Sequence, residues 1–83
     1  MKVNELKEFL ASGFDGFEVH LDPAGERADI VLNRPPLNVI EMNQRDVLRS
    51  VFEALDQLSD VRVIVLRGGG EHFSSGGNIR GFL

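Results

Sequence analysis

Residues 61–78, VRVIVLRGGGEHFSSGGN, decide how this chain is read. Val63, Ile64, Val65 and Leu66 form a continuous apolar, largely β-branched run, which predicts a buried strand. A glycine-rich loop follows directly, and Asn78 then stands where a helix would be capped. In open α/β arrangements, ligands bind beyond the carboxyl ends of strands, where loops meet the positive ends of helices. Gly76 and Gly77 carry no side chain to shield their N–H groups. The loop is therefore suited to a phosphate, or to an oxygen that becomes negative during a reaction. The plainer alternative is turn chemistry alone, with Gly68–Gly70 flexible and Gly76-Gly77 tight.

Upstream, the pattern supplies the partners such a strand needs. FEVHL (17–21) alternates Phe17, Val19 and Leu21 with Glu18 and His20, the period of a strand with one wet face. DPAGE (22–26) is a turn, with Pro23 and Gly25 fixing its backbone. ADIVLNR (28–34) reads as a second strand, antiparallel to the first and more deeply buried at Ile30, Val31 and Leu32. Pro35 and Pro36 end it, since proline donates nothing to a ladder. Val47, Leu48, Val51, Phe52, Leu55 and Leu58 then line one side of a helix over 41–58. Asn38 and Glu41 have capping-box spacing, and Asn43 is an alternative cap. A strand, a helix and a further strand imply a right-handed crossover and a parallel pair. Before all this, Val3, Leu6, Phe9 and Leu10 recur at helical spacing in a short segment that reads as an appendage. The organisation expected is an appended helix over 1–14, a hairpin over 16–33, the helix over 41–58, a strand over 61–67 and the glycine-rich loop over 68–78.

Composition narrows the function classes. Eighty-three residues make one domain at most. A chain of this size buries only about 60–65% of its unfolded surface. Hydrophobic residues make up 42% and charged residues 27% of the chain. That is an ordinary globular balance. With no cysteine, neither a disulfide nor a thiolate metal site is available, and no metal site is expected. The net charge of -4 and scattered arginines argue against nucleic acid or an anionic membrane as partner. No stretch approaches a membrane span and none resembles a signal-peptide core, so the expected compartment is the cytoplasm.

Familiar glycine signatures fail on counting. A dinucleotide fingerprint needs a third glycine where Phe73 stands, and a P-loop starting at Gly70 would need a glycine where Ser75 stands. A nucleotide-binding module is thereby the weakest reading.

The series IVLNRPPLNVI, amphipathic helix and VRVIVLRGGGEHFSSGGNI resembles the opening of the crotonase (enoyl-CoA hydratase/isomerase) superfamily. It runs from about Ala28 to Leu83. The resemblance implies an α/β fold, the first ββα turn of a crotonase-like spiral preceded here by the short helix. It also implies an acyl-CoA thioester as partner, with coenzyme A as part of the substrate and no tightly bound cofactor. Family members stabilise an enolate oxygen with two backbone N–H groups, and the matching position makes Gly77 the first donor and the catalytic residue. Such a donor is worth about 3–4 kcal/mol of barrier. By the same resemblance Leu37, Asn38, Val39, Ser74, Ser75, Gly76 and Asn78 line the substrate.

Two positions depart from the family's pattern. Asn78 stands where Asp is usual, which keeps a cap but removes a charge. Ser74-Ser75 replace a pair that commonly contains alanine. The second oxyanion donor and the catalytic acids of the family lie further along a longer chain. The resemblance therefore implies an N-terminal portion of a hydratase or isomerase, itself inactive, whose full-length form assembles as a homotrimer or homohexamer. Glu71 and His72 sit beside the loop but read as solvated, and so does His20. Phe82-Leu83 would close the chain with apolar residues in an opening helix, the second sign of truncation. The competing reading, from a different class, is a noncatalytic α/β domain for self-association or partner binding.

Overall fold

The computed structural model describes residues 2–77. Its elements follow in the order α1 (Val3–Ala11), β1 (Phe17–Leu21), β2 (Arg27–Leu32), α2 (Met42–Gln57) and β3 (Val63–Gly68). The architecture is α/β, a helix and a β-hairpin followed by a second helix and a strand.

Strand alternation sets the hairpin register. Phe17, Val19 and Leu21 stand opposite Leu32, Ile30 and Ala28, so the apolar residues of both strands share one face. Asp22 builds the turn between them. Its Oδ1 accepts the amides of Glu26 and Arg27 at 2.7 and 3.0 Å. Gly25, inside the same turn, takes a φ of 72°. β3 then joins β2 in parallel, giving the order β1-β2-β3, with Ile64 opposite Ala28 and Leu66 opposite Ile30. The helix between β2 and β3 provides the length that a parallel connection needs.

The core lies on that apolar face. Phe17, Ala28, Ile30 and Leu32 of the hairpin cluster with Val51, Ala54, Leu55 and Leu58 and with Leu6 and Leu10 of α1. Burying aliphatic side chains of this kind contributes about 1.5–3 kcal/mol each. The ring of Phe9 meets Phe14 edge-on, with centroids 5.5 Å apart. Phe14 in turn stacks on Phe17 at 4.8 Å. These aromatic pairs tie α1 to the start of β1.

Four features differ from the sequence reading. The first helix is no appendage, because Leu6 and Leu10 sit in the shared core and cover what the second helix leaves open. The buried stripe of α2 is rotated from the one expected. Gln44, Val51, Ala54 and Leu55 are buried, whereas Val47 and Phe52 are exposed. Ala54 takes the inward position, and Phe52, two residues away and so about 200° round the helix, points outward. The capping box also sits elsewhere, with Glu41 as N-cap and Gln44 as its partner. The Glu41 amide donates to Gln44 Oε1 at 3.1 Å. Finally, β3 is not buried. Val63, Ile64 and Leu66 are 49%, 37% and 43% exposed, because among the described residues β3 has β2 on one side only and the helices lie over the hairpin.

Candidate active-site loops

The parallel pair determines where the loops go. Leu32 stands opposite Gly68, so β2 and β3 deliver their carboxyl ends to the same edge of the sheet. The Gly69 amide extends the pairing by donating to the Leu32 carbonyl at 2.8 Å. Beyond this point residues 33–41 and 69–77 run side by side.

The first loop is organised around Asn38. Two prolines ahead of it turn the chain back. The Asn38 amide donates to the Arg34 carbonyl at 2.8 Å. Asn38 adopts a φ of 51°. That left-handed conformation is one asparagine tolerates better than most residues. Its side chain is buried, with the residue 1% exposed. Oδ1 accepts the Arg34 amide at 2.9 Å. Nδ2 donates across to the second loop, where the carbonyls of His72, Phe73 and Gly69 lie at 2.8, 3.0 and 3.2 Å. Two amide hydrogens thus serve three carbonyl oxygens, so at least one is shared.

The second loop folds over Gly68 so tightly that a Cβ there would collide with the main chain of His72 and Phe73. Gly68 is required by that close approach, not by flexibility. Further along, the Ser74 hydroxyl donates to the Asn38 carbonyl at 2.7 Å and accepts the Gly76 amide at 3.0 Å. The Ser75 amide donates to the Leu37 carbonyl at 2.8 Å, and the Ile40 amide to the Gly76 carbonyl at 2.9 Å. A parallel bridge between Ile40 and Gly77 completes the seam.

The seam spends the N–H groups of Ser75 and Gly76 within the protein. The Gly77 N–H has no acceptor among the described residues. Among the described residues nothing stands within 4 Å of the position of a Gly76 Cβ, and Leu37 beside it is 46% exposed. Val39 is half-buried and Ser75 exposed. The structure thus brings Leu37, Asn38 and Val39 against Ser74, Ser75, Gly76 and Gly77, while Asn78 lies outside the described residues. Glu71 and His72 are exposed at the loop tip, and His72 contributes only its carbonyl to the seam. His20 is exposed on β1, 3.7 Å from Glu18. Among the described residues no cluster of three metal-ligating side chains occurs, and no helix is long and apolar enough to cross a membrane.

Sequence reasoning places Asn38 near the loop but misses its side chain as the connector, and it misses the Ser74 relay. An asparagine in a proline-initiated turn is the signal that could find it.

Residues 26–83 match the family described as enoyl-CoA hydratase/isomerase. The chain belongs to that family. Within this enoyl-CoA hydratase/isomerase family, solved structures share the fold. An enoyl-CoA hydratase/isomerase from Mycobacterium paratuberculosis is similar at 30% identity and a TM-score of 0.72, over 82% of this chain and 26% of that one. Pseudomonas aeruginosa DspI is similar at 30% identity and a TM-score of 0.74, over 88% of this chain and 31% of that one. An enoyl-CoA hydratase from Thermoplasma volcanium gives 35% identity and a TM-score of 0.61, over 77% of this chain and 26% of that one. The chain thus spans between a quarter and a third of the length of these structures. No curated protein sequence gives a match. The α/β crotonase fold that the motifs implied is the one observed.

Proposed function

We propose that this chain is the acyl-CoA-binding, N-terminal portion of an enoyl-CoA hydratase/isomerase-family enzyme, with the Gly77 N–H as an oxyanion donor. One observation carries the reading: the seam consumes the neighbouring amides of Ser75 and Gly76 and leaves that of Gly77 unspent among the described residues. An N–H that follows two hydrogen-bonded amides and is unspent among the described residues is available to an oxygen that gains charge.

The surroundings fit a thioester. Space over Gly76 admits an acyl group close to the main chain, and exposed Leu37 offers apolar surface beside it. The carbonyl of the thioester would accept from Gly77, while Leu37, Asn38, Val39, Ser74, Ser75 and Gly76 form the wall along which the coenzyme A moiety runs. Asn78 belongs to the same proposed wall. Polarising the carbonyl favours removal of a proton beside it, or addition of water to a conjugated double bond. Glu71 and His72, the acid and base nearest in sequence, are exposed at the loop tip, and the same proposal holds the 83-residue chain alone to be without turnover. In the proposed full-length enzyme the missing acids and second donor come from other segments. Assembly as a homotrimer or homohexamer and a cytoplasmic site of action belong to the same proposal.

The test is an amide NMR titration of the 15N-labelled chain with a non-hydrolysable acyl-CoA analogue. Selective shifts at Leu37–Val39 and Ser75–Gly77 are expected. A dispersed spectrum with no shift at millimolar analogue would overturn the assignment.

A further inference from the structure

The geometry assigns the Asn38 side chain to positioning the Gly77 N–H through the seam, which leaves only its main chain to the proposed coenzyme A wall; the functional half of this inference rests on the acyl-CoA reading above. Its side chain is buried and directed onto the main chain of both loops. One carboxamide fixes both loops at once. Oδ1 holds the turn at Arg34, and Nδ2 gathers the carbonyls of Gly69, His72 and Phe73. The Asn38 carbonyl then orients the Ser74 hydroxyl, whose oxygen receives the Gly76 amide. Gly77 follows directly, so its N–H direction is fixed by a chain of contacts that begins at Asn38.

Residue choice at this position is narrow. The left-handed φ disfavours β-branched and bulky side chains, and three carbonyl oxygens require a donor. Aspartate has the right shape and retains the acceptor for Arg34, but it brings oxygen against oxygen at the second loop. Only the gathering function is lost in that exchange.

The experiment compares amide hydrogen exchange in the labelled 83-residue chain, in Asn38→Asp and in Ser74→Ala. In Asn38→Asp the Ser75 and Gly76 amides are expected to exchange at least about tenfold faster, while core amides of Ile30, Leu32 and Val51 keep their rates. Ser74→Ala is expected to release Gly76 alone. With butyryl-CoA as probe, Asn38→Asp is expected to weaken the apparent affinity read at Gly77 by about tenfold. Unchanged Ser75 and Gly76 exchange in a folded Asn38→Asp chain overturns the role. Should Asn38→Asp unfold globally, Ser74→Ala decides, and unchanged Gly76 exchange there overturns it. If the parent chain ignores butyryl-CoA, the acyl-CoA reading falls separately and the exchange rates still decide whether Asn38 sets the loop.

Discussion

Arg67 of β3 reaches across the parallel pair to Asp29 of β2, its Nε 3.3 Å from Oδ2. Arg27 approaches the same carboxylate from its own strand, with Nε 2.7 Å from Oδ1 and Nη2 3.2 Å from Oδ2. The Arg27 hydrogen bond is the main cause holding Asp29 below the usual carboxylate range, aided by Arg67 and by both positive charges, against partial desolvation. Arg27 is correspondingly raised by Asp29. Since the folded carboxyl is depressed, its contribution to stability is complete above the unfolded pKa of about 3.9 and is lost as pH falls through the lower folded value. Asp29→Asn should therefore melt below the parent at pH 7, and the difference should shrink as pH drops under about 4. Molar salt should shrink it too, because the arginines are exposed. Melting curves at two pH values and two salt concentrations check this. A pH-independent difference would show that the ion pairs do not carry it.

The rotated stripe of α2 gives a second outcome. Leu55 is 1% exposed and Phe52 40%, although both sit on the apolar side of the helix by sequence spacing. Leu55→Ala should cost about 2–5 kcal/mol, enough to unfold much of so small a chain. Phe52→Ala should cost less than about 1 kcal/mol despite removing the larger side chain. Denaturant titrations of the two variants measure the contrast.

These residues also show where the sequence was legible. Period-two alternation in 17–21 and the apolar run 30–32 specified the hairpin, and the break at Pro35-Pro36 followed by a helical period specified the connection. The same pattern could not tell which apolar helix residues face inward, because a stripe of Val47, Leu48, Val51, Phe52, Leu55 and Leu58 is wider than the surface available to cover it. Nor could it expose β3, since a Val- and Ile-rich run looks alike at a sheet's edge and at its centre. At the site, glycines and serines marked the loop, but the bonds that shape it run between segments far apart in the chain, from Asn38 to His72 and from Ser74 back to Asn38. Local pattern carries no record of such pairs. Asn38 was legible as a capping or lining residue and not as the link between two loops.

Gly68 offers a sharper test of loop geometry than the glycines with positive φ. An added Cβ would strike the carbonyl of His72 and the main chain of Phe73, and main chain cannot swing aside as a side-chain tip can. Gly68→Ala should displace the 69–77 loop, accelerate Ser75 exchange and lower stability by about 1–3 kcal/mol. At Gly76, a φ of 99° makes alanine strained, yet open space surrounds the site. Gly76→Ala should therefore cost only about 1 kcal/mol while obstructing the proposed acyl path. Thermal melts separate the two variants, and butyryl-CoA titration should show Gly76→Ala losing affinity out of proportion to its stability.

The exposed edge of the sheet sets the last outcome. Among the described residues β3 presents unpaired main-chain groups beside exposed Ile64 and Leu66. That combination recruits other strands in solution. The isolated chain should therefore gain mass with concentration in sedimentation runs. Leu66→Lys combined with Ile64→Lys should suppress that association, since two charges on an edge strand oppose pairing with a like edge. Ile64 and Leu66 lie on the helix-covered face but are well exposed there, so the replacements should leave the hairpin amides protected. The same runs with butyryl-CoA divide the two functional readings. If ligand binding survives in the double variant, association is incidental to the site. If association persists unchanged and no ligand shifts Gly77, the noncatalytic self-association reading gains over the acyl-CoA one.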